Sequence, residues 1–174
     1  TVTEIMDYLR LLWARIGIPH CPDCGKEVAR RTVQEIVDDI LWRFESHSII
    51  VWSPIVRNRK GTHSDLFRQL VQNGYISGKV NGRDADFENP PILEKNLRHD
   101  IDVRIDRFIL NMENKQRLTE AVESGLQLGG GVVATESTAA PKKGVKLTEA
   151  SLAFETEVGA IIAYSEEFAC PDHG

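Results

Sequence analysis

Long apolar runs are missing from this 174-residue chain. Nothing approaches the roughly 20 residues that cross a bilayer as a helix, and the uncharged stretch Ser46–Val56 is interrupted by His47, Ser48, Ser53 and Pro54. A membrane-spanning helix is excluded; with no signal-peptide pattern, the expected compartment is the cytoplasm. A Gly-x-x-x-x-Gly-Lys-Ser/Thr loop is also missing, so the chain brings no phosphate cradle of its own. Leu128-Gly-Gly-Gly131 reads better as a helix C-terminus followed by a strand than as a nucleotide loop. No Ser/His/Asp set is indicated, because His20, His47, His63 and His99 are scattered among polar neighbours and read as surface or loop histidines. The neighbouring carboxylates Asp38-Asp39 and Glu166-Glu167 are not spaced for shared chemistry, and a solvated face is their default. Positive charge is in deficit: 21 Lys and Arg against 26 Asp and Glu give a formal charge of -5. That balance argues against bulk attraction to nucleic acid and leaves room only for a local basic patch. No internal repeat is found. These absences point away from an enzyme.

Cysteine is scarce, with three in the chain, and all three fall in one pattern. Cys21-Pro-Asp-Cys24-Gly near the start is matched by Cys170-Pro-Asp-His173-Gly at the finish. Three thiolates and one imidazole are the donor set of a closed, tetrahedral structural zinc site, which has no open position for catalytic water. A Cys21–Cys24 disulfide is the alternative, but it leaves Cys170 unpaired and suits an oxidising compartment; unliganded thiols are the third reading. The zinc reading ties the two ends of the chain together and loops out everything between the knuckles. The start at Thr and the finish just after a ligand suggest a piece of a longer protein.

Between the knuckles the periodicity alternates. Thr1-Val-Thr-Glu4 has capping-box spacing, and Ile5, Tyr8, Leu9, Leu12 and Ile16 recur at helical intervals up to a stop at Gly17. Thr32-Val-Gln-Glu35 repeats the box before Val33, Ile36, Val37, Ile40, Leu41 and Phe44. A β-rich run from Ser48 carries Pro54 and ends in a basic loop, Arg57–Gly61. Ser64–Asn73 reads as a helix. Tyr75–Val80 and Arg83–Phe87 are two strands joined at Asn81-Gly82, the strongest hairpin signal in the chain. Asp100–Ile109 alternates as a half-buried strand with Ile101, Val103, Ile105 and Ile109 inward. A helix capped by Asn111 or Asn114, a strand over 132–136, an Ala/Lys/Thr/Gly-rich excursion over 137–151 and a returning strand over 159–168 complete the chain. The expected fold is therefore α/β of the α+β kind: an antiparallel sheet with helices on one face, similar to a split βαβ sandwich, standing on the zinc-knuckle base. Its expected units are residues 1–31, 32–158 and 159–174.

Two charged features stand out. Arg57, Arg59 and Lys60 concentrate positive charge in an acidic chain, suiting an acidic protein surface, phosphates or an ordinary solvated turn. The alternating signs over Asp102–Arg107 read as self-satisfied cross-strand pairs.

Taken in order, Thr1-Val-Thr-Glu-Ile5, Asp7-Tyr-Leu-Arg-Leu-Leu12, the Cys21 knuckle, Thr32–Val37, Pro54–Gly61, Gly74-Tyr75, Pro90-Pro91, His99–Val103, Asp106-Arg107 and Ser165–Cys170 resemble the UvrA family, the damage-sensing ATPases of bacterial nucleotide excision repair. The resemblance covers nearly the whole chain. It implies a non-catalytic docking domain that recruits UvrB, with the nucleotide-binding motifs elsewhere, so that ATP belongs only to the parent protein. That parent is implied to be a homodimer that scans DNA. It also implies that Arg57, Arg59 and Lys60 face a partner or DNA. The family carries arginines on the strand after Gly-Tyr where this chain has Ser77 and Lys79, and Lys79 joins the expected partner-facing set. The rival expectation is a zinc-knuckle module that contacts DNA directly.

Overall fold

The computed structural model describes residues 2–23, 25, 30–137, 153–155 and 160–166. The elements are α1 (Val2–Ile16), α2 (Val33–Phe44), β1 (Ser48–Lys60), α3 (Ser64–Gln72), β2 (Ser77–Val80), β3 (Arg83–Asp86), β4 (Arg98–Ile109), α4 (Lys115–Leu128), β5 (Val132–Ser137), β6 (Ala153–Glu155) and β7 (Ala160–Ser165). The strands form one seven-stranded sheet in the order β3-β2-β4-β1-β5-β7-β6. Every pairing in it is antiparallel. The inner four strands, with α3 between β1 and β2 and α4 between β4 and β5, reproduce the expected split βαβ arrangement, and β3 is the extra hairpin strand.

Local chemistry sets the elements. The Thr32 backbone N–H donates to Glu35 Oε2 at 2.8 Å and the Glu35 N–H donates to Thr32 Oγ1 at 3.3 Å, a complete capping box that starts α2. At the hairpin, Asn81 and Gly82 both take positive φ, 52° and 76°, the mirror-image turn that matches strand twist. Asn111 rather than Asn114 supplies the side-chain cap before α4: its Oδ1 accepts the Asn114 N–H at 2.8 Å and starts a 3-10 turn over Met112–Asn114 that runs into the helix.

Helices α2, α3 and α4 cover one face of the sheet. A larger apolar cluster joins Ile36, Ile40 and Phe44 of α2 and Leu118 and Val122 of α4 to Ile49, Val51, Phe108, Val133 and Ile162. A smaller one joins Phe67 and Leu70 of α3 to Val56, Val80, Ile101 and Val103, with Phe87 against Phe67. Ile105 packs against both clusters. Helix α1 forms over its expected span, yet Ile5, Tyr8, Leu11, Leu12, Trp13 and Ile16 are all exposed.

Two expectations are corrected. Arg57–Lys60 is the end of a strand and not a loop, because β4 extends to Arg98 and supplies ladder partners, Arg59 opposite His99 and Lys60 opposite Arg98. The irregularity at this end is taken up by Asn58 at φ 51°, whose N–H donates to Asp100 Oδ1 at 2.7 Å. The second correction is the phase of β4. Trp52 pairs with Arg104 and Val51 with Asp106, so Ile105 is an extra residue on β4. A bulge of one residue moves every later side chain to the other face. Beyond it Asp106 and Phe108 point toward the helices, while Arg107 lies opposite Ile50 on the other side and Ile109 is exposed. Strand β6 was not expected from the sequence; the excursion it follows, over 138–152, lies outside the described residues.

Candidate docking face and its neck

The second face of the sheet carries no helix among the described residues. Register places Ser77 and Lys79 of β2, Asp102, Arg104 and Arg107 of β4, Ile50 and Trp52 of β1 and Ala134 and Glu136 of β5 on it. Four of its charged groups are tied down in two pairs. Arg57 Nη2 donates to Asp102 Oδ1. Lys79 Nζ donates to Glu136 Oε2 at 2.7 Å, and the same oxygen accepts the Trp52 indole N–H at 2.8 Å. The ammonium sits 4.6 Å from the Trp52 ring centroid, a cation–π distance, and the indole is left only 3% exposed. By contrast Arg59, Lys60, Arg104 and Arg107 are exposed and make no ion pair among the described residues. A groove of about 450 Å³ beside Arg104 is lined by Ser77, Asp84, Asp86 and Glu88, so carboxylates flank Arg104.

The expected partner-facing set thus divides. Arg59 and Lys60 present themselves at the strand end, and Lys79 and Arg57 are engaged within the face. Arg104 and Arg107 were missed, because the alternating signs over 102–107 read as mutual pairs. In the structure Asp102 pairs with Arg57, and Asp106 turns inward to accept from Arg117 Nε at 2.8 Å and Nη2 at 2.9 Å. Those bonds hold the Asp106 carboxyl below its ordinary 3.8. Two consecutive polar residues, Asp106-Arg107, inside an alternating strand were the available sign of a bulge.

The neck of the lobe is a second polar site. Asp39 Oδ2 accepts from Arg43 Nε at 2.8 Å and from the Tyr164 hydroxyl at 2.8 Å, with Arg31 Nη1 at 3.7 Å. Burial, then the Asp39 charge, pushes the Tyr164 phenol well above its usual range. The Arg31 N–H donates to the Ser165 carbonyl at 3.0 Å and the Glu166 N–H to the Gly131 carbonyl at 2.8 Å, so the incoming and outgoing segments are bonded to the lobe and to each other.

Of the four expected zinc ligands, Cys24, Cys170 and His173 lie outside the described residues. Cys21 is buried, and its carbonyl accepts the Gly25 N–H at 2.8 Å in a turn that Gly25 closes at φ 71°. A buried thiol opening a tight, glycine-closed turn fits a metal knuckle.

The fold and this face define an antiparallel α+β domain whose helix-free face carries, among the described residues, charge without an ion partner, a form that suits an interaction domain. A model of the UvrA interaction domain matches residues 31–139. The chain belongs to the UvrA interaction domain family. It is 42% identical over 98% of its length to the UvrABC system protein A of Methanothermobacter thermautotrophicus. Identity to the protein of the same name from Mycobacterium bovis is 47% over 78% of the chain, and to that from Clostridium perfringens 37% over the whole chain. The chain spans about 16%, 14% and 17% of those three relatives.

Proposed function

We propose that this domain recruits UvrB to a UvrA-type ATPase of DNA nucleotide excision repair, docking through the helix-free face of its sheet. The observation that carries the reading is the pair Arg104 and Arg107, brought to one face by the Ile105 bulge and left without ion partners among the described residues. Unpaired arginines on a rigid sheet suit a partner that presents carboxylates, because the guanidinium fork matches that group. Arg59 and Lys60 extend the same charge to the strand end. Family membership supports the assignment. In this reading Cys21, Cys24, Cys170 and His173 hold one structural zinc at the base of the lobe, and the chemistry that zinc supplies is folding rather than catalysis.

The test is a calorimetric titration of the zinc-loaded chain into UvrB at low and moderate salt, beside Arg104→Ala/Arg107→Ala and an Arg57/Arg59/Lys60 alanine triple. Saturable binding that weakens with salt and falls at least tenfold in the double variant is expected, roughly 0.7 kcal/mol or more per arginine. Wild-type binding unaffected by either set would place docking elsewhere.

A further inference from the structure

We propose that Glu136 is an internal competitor on the docking face: its carboxylate holds Lys79 against Trp52, and an acidic partner gains Lys79 only by taking its place. The inference rests on the docking reading above and adds a determinant of its strength.

Lys79 belongs to β2 and Glu136 to β5, and β4 and β1 lie between them. Neighbouring strands are about 4.8 Å apart, so the pair meets only because the lysine stem lies extended across β4 while Glu136 leans back over β1. The meeting point is the Trp52 indole, whose N–H shares the Glu136 oxygen with Lys79. A lysine head with three donors thus has its direction set by one carboxylate and one aromatic face. The side chains remain 18% and 23% exposed, so the pair is not sealed from a carboxylate arriving from solvent. A partner carboxylate offers the same chemistry as Glu136, and the exchange is one for one. Among the described residues Arg104 and Arg107 are bonded to no carboxylate, although Asp84, Asp86 and Glu88 line the groove beside Arg104, so the face contains two cations without an ion pair and two, Lys79 and Arg57, that are held back.

Replacing Glu136 by Gln keeps an oxygen that can accept the Trp52 N–H and removes the charge that holds Lys79. Wild type, Glu136→Gln, Lys79→Ala and the double variant are titrated into UvrB, with the Trp52 indole N–H resonance reporting an intact face. Glu136→Gln is expected to lower the dissociation constant about two- to fivefold, the scale of a partly exposed ion pair. That gain should vanish in the Lys79→Ala background, since a general gain in positive charge would persist there. An unchanged or raised dissociation constant in Glu136→Gln, or a gain that survives Lys79→Ala, overturns the proposal. If that overturning result comes together with weaker binding in Arg104→Ala/Arg107→Ala, docking on this face stands while the competitor role fails. Absence of wild-type binding removes both.

Discussion

Truncating Asp39 to Ala is expected to destabilise the chain more than any other single polar change at the neck. One oxygen of this carboxylate serves Arg43, Tyr164 and, more distantly, Arg31. The side chains of Arg31, Asp39 and Arg43 are 16%, 13% and 11% exposed. Removing the carboxylate leaves two guanidinium groups and a phenol facing one another with little water to replace it, a loss of about 3–5 kcal/mol. Tyr164→Phe deletes one donor and leaves the carboxylate with its two arginines, which costs about 1–2 kcal/mol, toward the low end for a bond to a charged group. The double variant should cost less than the sum by about 1 kcal/mol, because the Tyr164 bond is already gone once Asp39 is removed. Urea unfolding followed by circular dichroism at pH 7 measures all three. Hydrogen exchange at the Arg31 and Glu166 amides then reads the consequence, faster exchange at both, since each closes the neck through a bond to the lobe. A loss below 1 kcal/mol in Asp39→Ala, or one smaller than that of Tyr164→Phe, would refute the view that this carboxylate organises the neck.

Gly78→Ala should unfold the β2–β4 edge at a cost of about 1–3 kcal/mol, because a Cβ there collides with the Asp102 carbonyl and the Phe87 ring; thermal melting checks it. The Asp106–Arg117 pair should support stability in one direction of pH. Its bonds from Arg117 depress the Asp106 pKa in the folded state, so the contribution is present above the ordinary value of 3.8 and is lost as pH falls through the lower folded value. The urea midpoints of wild type and Arg117→Met should therefore differ at pH 7 and converge as pH falls below the folded value. Tyr164 acts at the opposite limb: its raised phenol supports the fold below pH 10 and loses that support as pH climbs, and Asp39→Asn should bring its absorbance titration back toward 10. If the chain holds the proposed zinc, chelation should loosen the base while leaving the sheet intact, seen as faster exchange over 19–31 with unchanged β-strand amide protection; a global loss of protection would contradict a base-only role.

Much of the fold could be read from local pattern. The Thr32 box, the Asn81-Gly82 turn and the apolar stripes of α2, α3 and α4 are decided by neighbours in sequence, and each element appeared where its signals placed it. Family membership was legible in the same way, from ordered short motifs. The face on which a charge lies was not. Arg104 and Arg107 reach the helix-free face because one extra residue, Ile105, is accommodated between two strands, and a bulge depends on the partner strand as much as on its own sequence. The Lys79, Trp52 and Glu136 contact is likewise set by a strand order that brings residues 57 positions apart together. Exposed apolar positions on α1 make the same distinction: periodicity determines the helix and its stripe, whereas what the stripe packs against is a property of tertiary structure. The sequence alone determined which residues could form strands, caps and charges; pairing register decided which of those charges stand unopposed on one surface, because register is a relation between segments and not a property of either one.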